Sequence, residues 1–438
     1  MRLANYVADF IASISPRVYG VVGAGAMHLN DAICHHHGIE FIAMHHEQAA
    51  AMAAEADARV TNKIGVVHVT AGPGGTNALT GVACAYVDSI PMLVIAGQVT
   101  TGTMSRDDTR RYIGAKVRQL GTNELPMVDL MRPVTKRAVT LIHPNNVRYE
   151  LELAVHTAWS GRKGPVFIEI PLDVQGADVD VEKLDGYTPI QDWPSRISQE
   201  QMLYAFEMIN ASDRPLLIVG NGIHLSGGEE ALRQFAADAR IPIVTSWNGS
   251  DLLQSDHGCV IGRPGVMGDR AGNFAVQNCD LLIVVGTRLS IPQTGHAQNL
   301  YAPNARKIVV DIDDFELRKP VTTTTNENLL INGDAAEFLR KLRQIVPWDN
   351  VYWKKRKDFD IWRTQCLEWK NTYPVMLPEY RECKDGVNSY AFIEELGKHL
   401  PDDAIVVTDA GTAFVGTMQS LKLNGRQRLM YSSGVSPM

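Results

Sequence analysis

HHEQAAAMAAEADARVTNKIGVVHVTAGPGGTN, residues 45–77, decides the fold. One glutamate, Glu47, opens an alanine-rich run that reads as a buried helix. A short apolar strand follows, then a turn made almost wholly of glycine and proline. Val/Ile-rich runs alternating with helices belong to parallel strands covered on both faces. The bare turn has two readings. Glycine there can serve backbone geometry alone. An uncluttered loop before a helix also lets a ligand approach the main chain, with free amides ready for an anion. Glu47 could be only a helix-start carboxylate favoured by the dipole. Its neighbours weigh against that, because Ala49 to Ala54 form an apolar run that must be packed. A carboxylate held there, beside a bare loop, is placed to exchange a proton with a ring nitrogen.

The same alternation extends both ways. Val18–Val22, Met92–Ala96 and Val166–Ile170 read as further strands, and a Pro/Gly/Asp-rich stretch at residues 173–195 reads as a linker. A second block opens with RPLLIVGNGIHLSGG and continues through DLLIVVGTRL (Asp280–Leu289) and RKIVVDID (Arg306–Asp313). A charged, tryptophan-containing helix is expected near residues 351–372. A third α/β beginning, NSYAFIEELGKHLPDDAIVVTDAGTAF, follows it. The glycines of VVGAGAM and VGNGIHLSGG are weak signals singly, and the latter lacks the full GxGxxG pattern.

With 438 residues, 45% of them hydrophobic, the chain can bury several cores. Its net charge of −7 is dispersed, which argues against a nucleic-acid partner; Arg110–Arg111 is only a short basic pair. Asp9 interrupts the short apolar stretch at the start, which reads as an amphipathic helix and not as a secretory leader, and no apolar run suits a membrane span. Six scattered cysteines without a CxxC pair suit reduced thiols in a cytoplasmic protein and no zinc site. The His35–His37 run reads as the polar end of a helix.

Taken together, HHEQAAAMAAEADARV, VVHVTAGPGGTNALTGVACAYVDSIPMLVIAGQV, RPVTK (Arg132–Lys136) and GRKGPVFIEIPLDV resemble the pyrimidine-binding domain of thiamine-diphosphate-dependent enzymes, in their acetolactate-synthase-like branch. GRPGVMGDRAGNFAVQNCDLLIVVGTRL resembles that family's central domain, and DAIVVTDAGT the start of its diphosphate-binding domain. The resemblance implies three consecutive doubly wound parallel-sheet domains: a pyrimidine domain over residues 1–172, a central Rossmann-like domain over 196–345, and the beginning of a diphosphate domain over 381–438. Residues 173–195 and 346–380 would be linkers.

The resemblance also implies roles. Glu47 matches the catalytic glutamate that hydrogen-bonds the aminopyrimidine ring nitrogen. Gly23, Ala24, Gly25, Gly72, Pro73, Gly74 and Asn77 would shape the loops around the cofactor. Asp409 and Gly411 would make the first diphosphate contacts, with Ser436 and Met438 holding the cofactor bent. His28, Gln98, Asn123 and Glu124 fall in the substrate pocket. Gly220, Gly222, Arg288 and Asp311 sit where FAD would be held, although turns and caps also use such residues. The implied cofactors are thiamine diphosphate and Mg2+, the implied substrate is a 2-keto acid such as pyruvate, and the implied assembly is a homodimer or homotetramer.

Three departures matter. The family's GDG…N metal motif does not occur before Met438, so the simplest expectation is a part of a longer chain, with metal ligands not assigned. Where acetolactate synthases carry an Asp-Asp-Arg run, this chain has Ser290, Ile291 and Pro292, so the arginine that would grip a second keto acid is missing. The family's Gln-Glu pair reads Asn123-Glu124. The expected activity is therefore a decarboxylating lyase or carboligase with an unassigned carbonyl acceptor. Simple decarboxylation, or a non-catalytic homologue with a nucleotide-binding central domain, stands as the alternative.

Overall fold

The computed structural model describes residues 1–105, 117–189, 197–323, 327–347 and 355–436. The chain forms two compact units. One holds residues up to 192 and the segment beginning at Ser432; the other holds residues 193–431.

The first unit is built on a six-stranded sheet in the order β2-β1-β3-β4-β6-β5, parallel throughout. Its strands are β1 (Arg17–Gly20), β2 (Glu40–Ala43), β3 (Gly65–Val69), β4 (Met92–Gln98), β5 (Arg137–Thr140) and β6 (Pro165–Pro171). Strands β3, β4 and β6 are buried at every position, as continuous apolar runs require. Helices α1 (Leu3–Ile14), α2 (Met27–Cys34), α3 (Glu47–Thr61), α4 (Pro73–Val87), α5 (Met127–Met131), α6 (Val147–Trp159) and α7 (Leu172–Gln175) complete the unit. Amphipathic α1 buries Leu3, Val7 and Ile11 on one stripe. Helices α3 and α4 touch closely because Gly81 has no side chain: a Cβ there would lie 2.5 Å from that of Ala51.

The α3–α4 pair carries a buried ion cluster. Arg59 Nη2 donates to Glu55 at 2.6 Å and to Asp88 at 2.7 Å, and all three side chains are nearly inaccessible. Asp88, just past the C-terminal end of α4, also accepts from the Ser433 amide at 3.0 Å and the Ser433 hydroxyl at 3.2 Å. The segment after residue 431 is thereby fastened to that end of α4.

The second unit repeats the plan. Its six-stranded parallel sheet runs β12-β11-β10-β7-β8-β9, from β7 (Pro215–Val219), β8 (Ile243–Thr245), β9 (Val260–Gly262), β10 (Leu281–Val285), β11 (Arg306–Asp311) and β12 (Leu329–Asn332). Helices α8 (Gln199–Asn210), α9 (Gly222–Leu225), α10 (Glu229–Ala239), α11 (Arg270–Asn278), α12 (Ile291–Thr294), α13 (Ala335–Ile345) and α14 (Lys355–Thr372) surround it. A complete capping box, Ser198 with Gln201, starts α8. The indole of Trp362 on α14 donates to the Pro215 carbonyl at 2.9 Å.

The same unit contains the third α/β element: α15 (Ser389–His399), β13 (Ile405–Val407), α16 (Thr412–Ser420) and β14 (Arg428–Met430), with β13 and β14 paired in parallel. Two buried polar groups bind it to the six-stranded body. Arg263 donates to the carbonyls of Met418 and Leu421 at the end of α16. Asp251 accepts from Arg428 Nε at 2.8 Å and from the Leu429 amide at 3.2 Å. Behind Asp251 lies His224, whose two ring nitrogens face Asp251 (2.8 Å) and Glu229 (2.9 Å). The expected α/β class of parallel sheets is therefore observed as two full sheets and one two-stranded beginning. All six cysteines are free, four of them buried.

Candidate active site

In an open parallel sheet, ligands settle beyond the carboxyl ends of the strands, where successive connections leave in opposite directions. In the first unit that point lies between β1 and β3, because the chain goes from β1 outward to β2 and returns to β3 on the other side. Two bare loops flank it: residues 21–26 after β1, and residues 70–72 after β3. The connection after β2 brings in Glu47 as the first residue of α3, with His46 as the N-cap accepting the Gln48 amide at 3.1 Å.

The loops are bare because they touch. A Cβ at Gly23 would lie 2.6 Å from Thr70, and one at Gly25 2.6 Å from the Ala71 methyl. Gly97, at the end of β4, would meet the Gly25 carbonyl oxygen at 2.2 Å. Gly72 has φ +58 and ψ −105, which side chains rarely adopt, and a methyl there would lie 1.9 Å from the Asn123 carbonyl oxygen.

Glu47 is buried, with 8% of its surface exposed. Its Oε2 accepts from Asn77 Nδ2 at 3.0 Å. Its Oε1 faces the bare loop, 3.6 Å from where a Gly74 Cβ would stand. The sequence-predicted set Glu47, Gly72, Pro73, Gly74 and Asn77 is thus brought to one place, with Gly23, Ala24 and Gly25 on the neighbouring loop.

The loop after β1 is held from inside the core. Asn30 Nδ2 donates to the Gly23 carbonyl at 2.9 Å, and Asn30 Oδ1 lies 2.8 Å from His68 Nε2. His68 is fully buried on β3, and burial lowers it to about 4, so it is neutral at ordinary pH. Nδ1 lies 3.2 Å from the Ile95 carbonyl, so the ring stands between two acceptors and its single N–H serves one of them, while the Asn30 amide holds Gly23. Neither residue was among the sequence-predicted ones, although a histidine inside the apolar run VVHV was a visible signal.

The remaining pocket residues have structural tasks. Gln98 is buried, donating to Glu169 Oε2 at 3.0 Å and the Leu125 carbonyl at 3.2 Å. Glu124 accepts from the Ser105 amide, the Ser105 hydroxyl (2.6 Å) and the amides of Leu120 (2.9 Å) and Gly121 (3.2 Å). Burial opposes its charge, but these bonds outweigh burial and hold its carboxyl below the usual range. Glu124 therefore sets the turn that presses the Asn123 carbonyl, at φ +65, against Gly72. The half-buried His28 ring lies over Gly176. Ser436, at φ +50, belongs to the segment tied to Asp88. Met438 and Arg110–Arg111 lie outside the described residues.

In the second unit, the sheet order is that of a dinucleotide fold with its switch point between β7 and β10. Gly220 and Gly222 sit there against Gly286: a Cβ at Gly222 would come 2.6 Å from the Gly286 Cα. Arg288 follows β10, and Asp311 ends β11, its carboxylate accepting the Asp313 amide at 2.9 Å. Asp409 and Gly411 precede α16. Gly411 has φ +80 and open space around it, and no acidic residue occupies the first turn.

Known proteins bear directly on this geometry. The sequence profile described as "Thiamine pyrophosphate enzyme, N-terminal TPP binding domain" matches residues 1–120, and "Thiamine pyrophosphate enzyme, central domain" matches residues 203–342. The probable acetolactate synthase large subunit of Methanocaldococcus jannaschii is 30% identical over 436 residues, covering 96% of this chain and 68% of that protein. The acetolactate synthase isozyme 2 large subunit of Escherichia coli strain K12 is 31% identical over 421 residues, covering 96% and 70%. The chain belongs to the thiamine pyrophosphate enzymes of the acetolactate synthase type. It is an enzyme of lyase or transferase class, and the loop crevice of the first unit falls within the region matched as the TPP-binding domain. Among the described residues, no helix is long and apolar enough to cross a membrane, and no cluster of three metal-binding side chains occurs.

Proposed function

We propose that the chain decarboxylates a 2-keto acid, pyruvate in the first instance, and passes the acyl unit to a carbonyl acceptor. The observation that carries this reading is the buried Glu47 carboxylate, with one oxygen held by Asn77 and the other beside the position where Gly74 has no side chain. The residues fit an aminopyrimidine: closely packed glycines leave main chain beside the carboxylate, and Glu47 supplies a buried acid–base group. Bound there, thiamine diphosphate supplies the carbon nucleophile and electron sink for decarboxylation. Glu47 moves the proton at the ring nitrogen, the Gly23 and Gly72 loops orient the ring, and the Asn123 turn covers the loop edge.

The amino end of α16 suits the diphosphate, since its first amides are uncapped and Gly411 leaves room. Magnesium typically binds through one or two carboxylates plus phosphate oxygens, and Asp409 is the carboxylate at that helix. FAD would lie along the β7–β10 crevice, flanked by Arg288 and Asp311. The acceptor is read as lacking a carboxylate, because apolar, exposed Ile291 stands in the run Ser290–Pro292 where the relatives' gripping arginine would fall.

Reach supports reading at least a homodimer. Helix α4 spans 15 residues, or about 22 Å, between the Gly72 loop and Asp88. Ser436 stands three residues beyond the tie at Asp88, which extends at most about 11 Å. Within one chain Ser436 does not reach the loop, so its expected cofactor contact belongs to a second copy.

The test is Glu47→Gln in the holoenzyme, with pyruvate alone and with added aldehydes or ketones. The expected result is an intact fold and loss of product release. Full turnover by this variant would refute the reading, and acetaldehyde as sole product under every condition would refute the carboligase half.

A further inference from the structure

The two oxygens of Glu47 are not equivalent. Oε2 is engaged by Asn77 Nδ2 at 3.0 Å, whereas Oε1 looks onto the stretch where Gly74 places no side chain. Asn77 stands one turn into α4 and is itself exposed, so its amide closes the solvent side of a buried carboxylate. We infer that Asn77 is a positioning residue: it reserves Oε2 as a permanent acceptor and makes Oε1 the atom that gives and takes the proton. This rests on the reading of Glu47 as the acid–base group, and it departs from the expectation that Asn77 touches the cofactor.

The chemistry follows from donor count. An amide nitrogen only donates, and the carboxylate fixes which end of the Asn77 side chain faces it. A proton placed on Oε2 toward Asn77 would oppose a donor with a donor. Protonating Oε2 would weaken the acceptor that Asn77 engages, so the proton is assigned to Oε1; on transfer the Oε1–H bond would break as a ring N–H bond forms, leaving the carboxylate anionic and the ring cationic. The amide donates to Oε2 alone, so removing it takes this donor from the carboxylate without touching Oε1. Gly74 serves the same arrangement by leaving Oε1 uncovered.

The test compares Asn77→Leu, which keeps the volume and removes the donor, with Asn77→Asp, which sets a second carboxylate beside the first. Calorimetric titration with thiamine diphosphate and magnesium, in buffers of unlike ionisation heat, reads both affinity and protons taken up across pH. Asn77→Leu is expected to keep affinity within about three-fold and to move the midpoint of proton uptake upward by about half a unit to one unit. Asn77→Asp is expected to move it further, because paired carboxylates share a proton. An affinity loss of about tenfold or more in Asn77→Leu with an unmoved midpoint would place Asn77 on the cofactor and overturn the inference, since tenfold corresponds to a lost direct contact. An unmoved midpoint with unchanged affinity overturns it as well. Glu47→Gln, measured alongside, separates the failures: if it leaves turnover intact, the Glu47 reading falls, and if it is inactive while Asn77→Leu matches the parent, only the role of Asn77 falls.

Discussion

Replacing Gly72 by alanine puts the crevice geometry to its hardest trial. At φ +58 and ψ −105 an L-residue occupies a glycine-only region, a cost of about 1–3 kcal/mol. The new methyl would start 1.9 Å from the Asn123 carbonyl oxygen, so one loop must move, at about 1–3 kcal/mol for overpacking. Alanine restricts the unfolded chain and returns about 0.4–1 kcal/mol. The net loss is about 2–5 kcal/mol. Gly161 is the internal control: it also has φ +58, but nothing lies within 4 Å of its missing Cβ, so Gly161→Ala should cost only about 1 kcal/mol or less. Hydrogen exchange of the β3 amides, followed by mass spectrometry, reports the opening free energy of the first unit. Because the obstructing atom is a main-chain oxygen held by the Glu124 turn, adding Glu124→Ala should soften the Gly72→Ala penalty, a non-additive pair. Equal costs at positions 72 and 161 would refute the claim that the Asn123 carbonyl, rather than backbone angle alone, demands glycine.

Arg59→Met removes the guanidinium that faces buried Glu55 and Asp88 and should destabilise the first unit by about 3–5 kcal/mol; chemical denaturation showing less than about 1 kcal/mol would remove the cluster from any structural role. Gly81→Ala drives a methyl into Ala51 and should cost about 1–3 kcal/mol, read by the same denaturation. The third prediction concerns pH. Burial works against a charged His224, but its bonds to Asp251 and Glu229 outweigh burial and raise it above 6.5. A raised folded value stabilises fully below about pH 6.5 and is lost as pH climbs through the folded value. For Asp251 and Glu229 burial is again outweighed, here by bonds to His224, and both are lowered, so their contribution is lost on acidification. Protection of the β14 amides should therefore peak between these limits, with Arg428 and the buried Arg263 as further charges acting on Asp251. His224→Gln should flatten the alkaline fall, and an unaltered profile would show that the cluster does not govern this docking.

The sheets were legible where they are interior. Strands β3, β4, β6, β7, β10 and β11 are apolar runs in the sequence because both faces are covered, and the sequence reading named each of them. β2, β5, β9 and β12, the edges of the two six-stranded sheets, carry no such run. EFIA and RAVT carry charge or threonine, VIG is three residues long, and LLIN ends in asparagine, as edges exposed to water permit. The site was legible in kind, since Glu47 and the glycine turn are local in sequence. Its supports were not: Asn30 with His68, and Asn123 with Gly72, meet across 38 and 51 positions, and only folding shows which carbonyl a glycine must clear. Gln98 and Glu124, expected in the pocket from the resemblance, have side chains engaged in buried hydrogen bonds that only the fold shows.

The wall formed by Gly23, Gly25, Gly72, Gly74 and Gly97 is made of peptide groups, and that limits how such a pocket can diversify. A surface without side chains offers no substitutions that retune it by degrees: each glycine either stays or, where a carbonyl already fills the space, forces a loop to move. Inheritance should therefore keep this wall nearly constant while chemistry drifts at its borders, through residues such as His28 whose replacement need shift no main chain. Chains sharing this crevice would then be sorted by their rims, and a survey of natural variants that found side chains freely exchanged along the wall would count against that view.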